Sequence, residues 1–199
     1  MKREYIPQMR PYFGNEERQA LSQYGFEDNF ITEFSYTHQF ERGLSDRLGV
    51  EDVYAVNNGT IAISIAALAL EIVPGDEVIV PNFTMIATPN AVKLLGAIPV
   101  FADVEPDTWC VSKADIFEKI TPKTKAVIIV SANGRSPSYD VEALTVELNA
   151  LGISVIEDAA QSLGSTYSDG TAIGTKSNIA TLSFSGPKII STGQGGAVY

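Results

Sequence analysis

The chain has 199 residues, 45% of them hydrophobic, enough for one substantial core. Its 24 acidic residues against 14 basic ones give a net charge of -10, and no run of Lys or Arg forms a stripe that could track a phosphodiester backbone, which argues against nucleic acid as a partner. A single cysteine, Cys110, forbids an internal disulfide, a single histidine leaves no zinc-spaced ligand set, and neither Met1–Pro7 nor any later apolar run reads as a signal or membrane span, so the expectation is a cytoplasmic, metal-free chain without membrane contact.

Residues 1–52 read as a helical N-terminal segment. Asn15 is placed to cap a helix opening Glu16-Glu17-Arg18, and Phe34, Phe40, Leu44 and Leu48 mark a second helix packed on the sheet. His38, within it, reads as a partly exposed helix residue. From Val53 onward, short β-rich runs alternate with helical patterns: Val53–Val56, Glu77–Val80, Ile98–Ala102, Ala126–Val130 and Ser154–Glu157. Such alternation signals βαβ units and a parallel sheet. Pro74-Gly75-Asp76 and Gly96-Ala97-Ile98-Pro99 supply turns into the second and third strands. Asp140 caps a helix whose apolar stripe is Val141, Leu144, Leu148 and Leu151, ended by Gly152. Two last runs, Asn178–Ser185 and Gly195–Tyr199, have no helix between them and are expected to pair as an antiparallel edge or corner, making seven strands.

Three motifs carry chemistry. Asn57-Asn58-Gly59-Thr60 lies between the first strand and a helix, where free N–H groups and a positive helix end suit a phosphate; the same four residues also suit an ordinary capped turn. Val155-Ile156-Glu157-Asp158 ends the fifth strand with two carboxylates that alternation sends to opposite faces; Asp158 either meets a ligand or caps a following helix. Ser183-Phe184-Ser185-Gly186-Pro187-Lys188 leaves the sixth strand through a Gly-Pro turn and ends on a lysine. Lysines are mostly solvated, but this one converges with the other two motifs on one sheet edge. A nicotinamide-binding reading fits the alternation and fails on detail, since no G-x-G-x-x-G follows the first strand.

The order and wording of Asn58-Gly59-Thr60, Gly75 to Pro81, Gly96 to Asp103, Ile120 to Ala126, Glu157 to Gln161, and Ser183 to Lys188 followed by Gly195-Gly196 resemble the sugar aminotransferases of the DegT/DnrJ/EryC1/StrS family. The resemblance implies an α/β, fold-type I pyridoxal phosphate transferase large domain, three-layered around a seven-stranded mostly parallel sheet. It implies one cofactor-binding domain over 1–199, with 1–52 packed on it and the family's small C-terminal domain absent. The cofactor's amine partner falls on Lys188, the carboxylate against the pyridine nitrogen on Asp158, and the residue near the ring hydroxyl on Gln161. The phosphate falls to Gly59 and Thr60 N–H groups and to the Thr60 and Ser183 hydroxyls. Met85 stands where the family places an aromatic on the ring face; a thioether still packs flat there, and Phe83 is two residues away. Ser131-Ala132-Asn133-Gly134-Arg135 replaces a His-containing family segment, with Arg135 a candidate anion contact, while Trp109 and Cys110 are expected beside the third strand without assigned chemistry. Implied partners are a nucleotide-sugar substrate, an amino-acid donor such as glutamate, and a second subunit in a homodimer. Related dehydratases carry histidine in place of the lysine, so Lys188 favours transamination. Because family members are longer, turnover by these 199 residues alone is not expected, and the alternative is a non-catalytic module binding a phosphate ligand or a subunit.

Overall fold

A computed structural model describes residues 6–7, 10–27 and 35–199. Helix α1 (Asn15–Glu27) begins differently from the expectation: the Gly14 N–H donates to Glu17 Oε2 at 2.6 Å, so Gly14 holds the cap position and Asn15 is already helical. A carboxylate three residues into the helix reaches the cap's N–H better than Asn15 reaches forward. Helix α2 (Ser35–Leu48) buries Leu44 and Leu48, and Phe40 meets the Phe184 ring edge-on at 5.0 Å. Phe34, the first residue of the predicted stripe, lies outside the described residues.

The sheet comprises β1 (Tyr54–Val56), β2 (Glu77–Pro81), β3 (Ile98–Ala102), β4 (Thr124–Val130), β5 (Ser154–Asp158), β6 (Ile179–Ser183) and β7 (Gly196–Val198), in the order β1-β7-β6-β5-β4-β2-β3. Strands β2 to β6 run parallel, and β7 is antiparallel to both its neighbours. The β6–β7 pairing is the expected one, but β7 is no edge: β1 closes over it, pairing Tyr54 with Val198 and Val56 with Gly196. The residues explain the difference. Gly196, Ala197 and Val198 are all buried, as an interior strand requires, whereas Tyr54 on β1 is exposed. Being antiparallel to an antiparallel strand, β1 points its carboxyl end the same way as β6.

Helices α3 (Gly59–Ala69) and α4 (Ala87–Leu94) cover one face, packing Ile63, Ala66, Ala67, Ala91 and Val92 against Val78, Val80, Ile128, Ile156 and Val198. On the other face, α2, α5 (Lys113–Lys119) and α6 (Val141–Asn149) pack Leu44, Ile116, Leu144 and Leu148 against Ile79, Val127, Val155 and Leu182. The result is three layers. Helix α6 stops two residues earlier than its stripe suggested: the Ile153 N–H returns to the Leu148 carbonyl at 3.0 Å, Gly152 takes φ +75°, and Leu151 is thrown outward, 58% exposed. The α4 crossover uses one face and the α5 and α6 crossovers the other, so the connections diverge between β2 and β4 at the carboxyl edge, where open α/β sheets bind ligands. Among the described residues no helix is long and apolar enough to cross a membrane.

Candidate active site

The start of α3 is a capped helix end that leaves its first N–H groups free. Asn58 adopts an extended conformation and its Oδ1 accepts the Ile61 N–H at 3.0 Å, while its carbonyl takes the Ala62 N–H at 3.0 Å. Gly59 and Thr60, the first two helical residues, have no turn before them to accept their N–H groups. Two glycines let this turn rest on the sheet. A Cβ at Gly59 would stand 2.7 Å from Ser183 Cβ, and one at Gly196 would stand 2.6 Å from the Asn58 oxygen. Ser183, at the carboxyl end of β6, is thereby brought beside Gly59, and its hydroxyl lies 3.0 Å from that of Ser185. Free N–H donors, a positive helix end and hydroxyls in one place suit a phosphate.

The two carboxylates of β5 face opposite layers. Glu157 is buried on the α6 side, where it accepts the Tyr167 hydroxyl, the Gly174 N–H at 3.1 Å and the Lys176 N–H at 2.9 Å, a structural anchor for the 165–176 segment. Asp158 is buried on the α4 side, accepting the Thr88 hydroxyl at 2.9 Å and the Ala160 N–H at 3.2 Å. No helix follows β5, so of the two readings left open for Asp158 the helix cap is wrong; its Oδ1 braces a turn. Burial pushes its carboxyl up, against the Thr88 and Ala160 hydrogen bonds and the charge of Lys188.

Lys188 follows the turn closed by its own N–H on the Ser185 carbonyl at 3.0 Å. It is half-buried; burial pushes its ammonium pKa down while Asp158 pulls the other way. Its amine forms no ion pair or hydrogen bond among the described residues. An amine near a carboxylate, partly withdrawn from water and uncommitted, is available as a nucleophile and proton carrier.

The loops after β2, β3 and β4 form the rest of the rim. Met85 is 55% exposed. Phe83 does not stand in for it, because its ring packs edge-on against Trp109 at 5.2 Å. The Arg135 guanidinium lies 4.2 Å over the Trp109 ring, and Cys110 is buried beneath. Gln161 Oε1 accepts the N–H of Asn133, which holds left-handed backbone at φ 53°, so Gln161 ties the β4 loop to the end of β5. His38, exposed on α2, pairs with Glu41 at 3.4 Å. A groove of about 550 Å³ between α2 and residues 51–55 contains none of the residues around Lys188 and Asp158.

Lys188, Asp158, Gly59, Thr60 and Ser183 thus come together at the carboxyl edge of β1, β5 and β6. Thr88 was missed: a threonine inside a helix has no distinguishing local pattern, and its contact to Asp158 spans 70 residues.

The profile of the DegT/DnrJ/EryC1/StrS aminotransferase family matches residues 11–199. The chain is 39% identical over 194 residues to a GDP-perosamine synthase from Escherichia coli O157:H7, covering 98% of this chain and 52% of that protein. It is 38% identical over 192 residues to a dTDP-4-dehydro-2,3,6-trideoxy-D-glucose 4-aminotransferase from Saccharopolyspora spinosa, covering 96% and 49%. Among solved structures, a putative sugar aminotransferase from Streptococcus pneumoniae in its PMP form superposes with a TM-score of 0.90 at 28% identity, covering 98% of this chain and 51% of that one. The chain spans about half the length of the curated relatives it matches.

Proposed function

Because this chain belongs to the DegT/DnrJ/EryC1/StrS aminotransferase family, we propose that it carries the cofactor site of a pyridoxal-phosphate-dependent enzyme that moves an amino group, from a donor such as glutamate, to a keto carbon of a nucleotide-linked deoxy sugar. The observation that carries this reading is the convergence of Lys188, Asp158 and the α3 cradle on one sheet edge. The residues fit the group: the Gly59 and Thr60 N–H groups with the Thr60 and Ser183 hydroxyls for its phosphate, and Asp158 for its ring nitrogen. Thr181 adds to the fit, since it is paired in register with Asp158, shares its face by alternation, and keeps a buried hydroxyl without a hydrogen-bond partner among the described residues.

Pyridoxal phosphate, when bound, supplies a carbonyl carbon and an electron-withdrawing ring to the amine being transferred. Asp158 would set its carboxylate against the ring nitrogen, where negative charge favours keeping that nitrogen protonated. Lys188 would hold the cofactor through its amine and, when free, would take up and return a proton at Nζ; burial lowers its pKa, which favours the free amine this role requires. The amide of Gln161, its oxygen already taken by Asn133, retains donors for a ring hydroxyl. Met85 offers an apolar, polarisable surface at the rim. A homodimer is part of the proposal, supported by Ile65, Leu68, Ile86 and Leu94 on the exposed side of α3 and α4, as is a cytoplasmic setting. Borohydride reduction of the intact protein after incubation with pyridoxal phosphate, followed by peptide mass spectrometry, tests the reading. The adduct is expected on Lys188; an adduct on Lys176, or none, sinks it.

A further inference from the structure

Thr88 lies in the first turn of α4, fully buried, with its Oγ1 2.9 Å from Asp158 Oδ2 and 2.8 Å from Thr84 Oγ1. An ionised carboxylate can only accept, and a hydroxyl has one proton to give. With Asp158 ionised, the Thr88 proton must point at it, and Thr84 must then donate to Thr88. The direction of the two-hydroxyl chain is therefore set by the charge state of Asp158.

We propose that Thr88 is a positioning residue that keeps Asp158 ionised and aimed at the cofactor ring, and that Thr84 assists by donating to Thr88; this rests on the function proposed above. Among the described residues no other group takes this role. Asp158 Oδ1 is occupied by the Ala160 N–H, and Thr88 is the one hydrogen-bond donor to Oδ2 among the described residues. The Thr181 hydroxyl, beside Asp158 on β6, has no hydrogen-bond partner among the described residues. Lys188 is the charged group coupled to Asp158, and it acts through its field without a hydrogen bond. The donor on Oδ2 opposes the burial that pushes the carboxyl toward its neutral form. The same segment carries Met85, whose carbonyl accepts the Thr88 N–H at 3.0 Å. The rim residue and the hydroxyl that holds Asp158 are thus parts of one turn, and a shift of the β2 loop is felt at the carboxylate.

The test uses the intact protein with carbon-13-labelled aspartate, the Asp158 carboxyl signal being identified by its loss in Asp158→Asn, together with pyridoxal phosphate binding followed by absorbance. Thr88→Val, which keeps the shape and removes the hydroxyl, is expected to raise the Asp158 midpoint by about one pH unit, tenfold in proton affinity, and to weaken cofactor binding about tenfold. Thr88→Ser should restore both to near wild type. Thr84→Val should shift both the same way by less. An unchanged midpoint in Thr88→Val overturns the proposal, as does a Thr88→Ser protein as defective as Thr88→Val, which would assign the effect to methyl packing. If Thr88→Val does not fold, an unmoved midpoint in Thr84→Val overturns the chain. A shifted midpoint in a protein whose wild type binds no pyridoxal phosphate would support the hydroxyl chain and sink the cofactor reading.

Discussion

Gly196 on β7 lies so close to the peptide group of Asn58 that a Cβ on it would stand 2.5 Å from the Asn58 carbonyl carbon. Both partners are backbone, so neither can rotate away. This contact sets how far the start of α3 descends onto the sheet, and hence how the Gly59 and Thr60 N–H groups stand relative to Ser183. Gly196→Ala must push the turn off β7. The expected result is a loss of about 1–3 kcal/mol in urea unfolding, the usual cost of overpacking, with pyridoxal phosphate affinity falling at least about tenfold, the equivalent of 1.4 kcal/mol. Retention of wild-type cofactor affinity in a folded Gly196→Ala protein would remove the α3 turn from the phosphate site.

Glu157 gives a contrasting prediction, one of stability. It accepts three hydrogen bonds from Tyr167, Gly174 and Lys176 while almost fully buried. A glutamine has one acceptor oxygen in place of two and turns an N–H toward a backbone donor. Glu157→Gln is expected to cost about 2–4 kcal/mol in chemical unfolding, with a smaller effect on cofactor binding, since these bonds lie on the face away from Asp158. A variant within about 0.5 kcal/mol of wild type would show that the 165–176 segment holds itself.

How much of the fold and site is legible in the residues alone depends on the range of the interactions concerned. Period and punctuation locate all seven strands to within two residues at each end, because those signals are local. The opposite orientations of Glu157 and Asp158 come from pleating alone. Strand order does not: a three-residue strand such as Tyr54–Val56 carries no mark of its neighbour, so the burial of β7 under β1 emerges only from the pairing. Gly14 as the cap of α1 depends on a side chain reaching backward from Glu17, a choice Asn15 conceals. Thr88 has no local signature at all. Its meaning lies in a contact made across two crossovers.

The lysines differ in a measurable way. Burial lowers the Lys188 pKa, while the hydrogen bond from Lys176 to Asp169, at 2.5 Å, raises that of Lys176. At any pH below the ordinary lysine value, Lys188 therefore holds a larger free-amine fraction. Competitive acetylation across pH 7 to 11, read by peptide mass spectrometry, should place the reactivity midpoint of Lys188 below that of Lys176. The reverse order would mean that Asp158 dominates over burial and that Lys188 rests as an ammonium.

Asp158→Asn is expected to separate stability from function, with opposite signs. The folded carboxyl has a raised pKa, so folding is unpenalised while Asp158 is protonated in both states, below the ordinary aspartate value. The penalty grows as pH rises from that value to the folded pKa and persists at neutrality. Asparagine removes that charge. It can also be accommodated, because Oδ1 can keep the Ala160 N–H while Nδ2 donates to Thr88, whose proton then turns to Thr84. Without cofactor, the variant should be at least as stable as wild type at pH 7, and its advantage should vanish near pH 4. With cofactor, on the proposed reading, it lacks the charge that would keep the ring nitrogen protonated, and half-transamination with the amino donor in the intact enzyme should fall on the order of a hundredfold or more, the scale of losing one preorganised electrostatic contact. Urea unfolding of the cofactor-free protein at the two pH values and single-turnover absorbance of the loaded protein measure the two sides separately. A variant that is destabilised at pH 7 by more than it is at pH 4 would show that the carboxylate is a net stabiliser in the empty site, and normal single-turnover rates would move the ring contact to another acid.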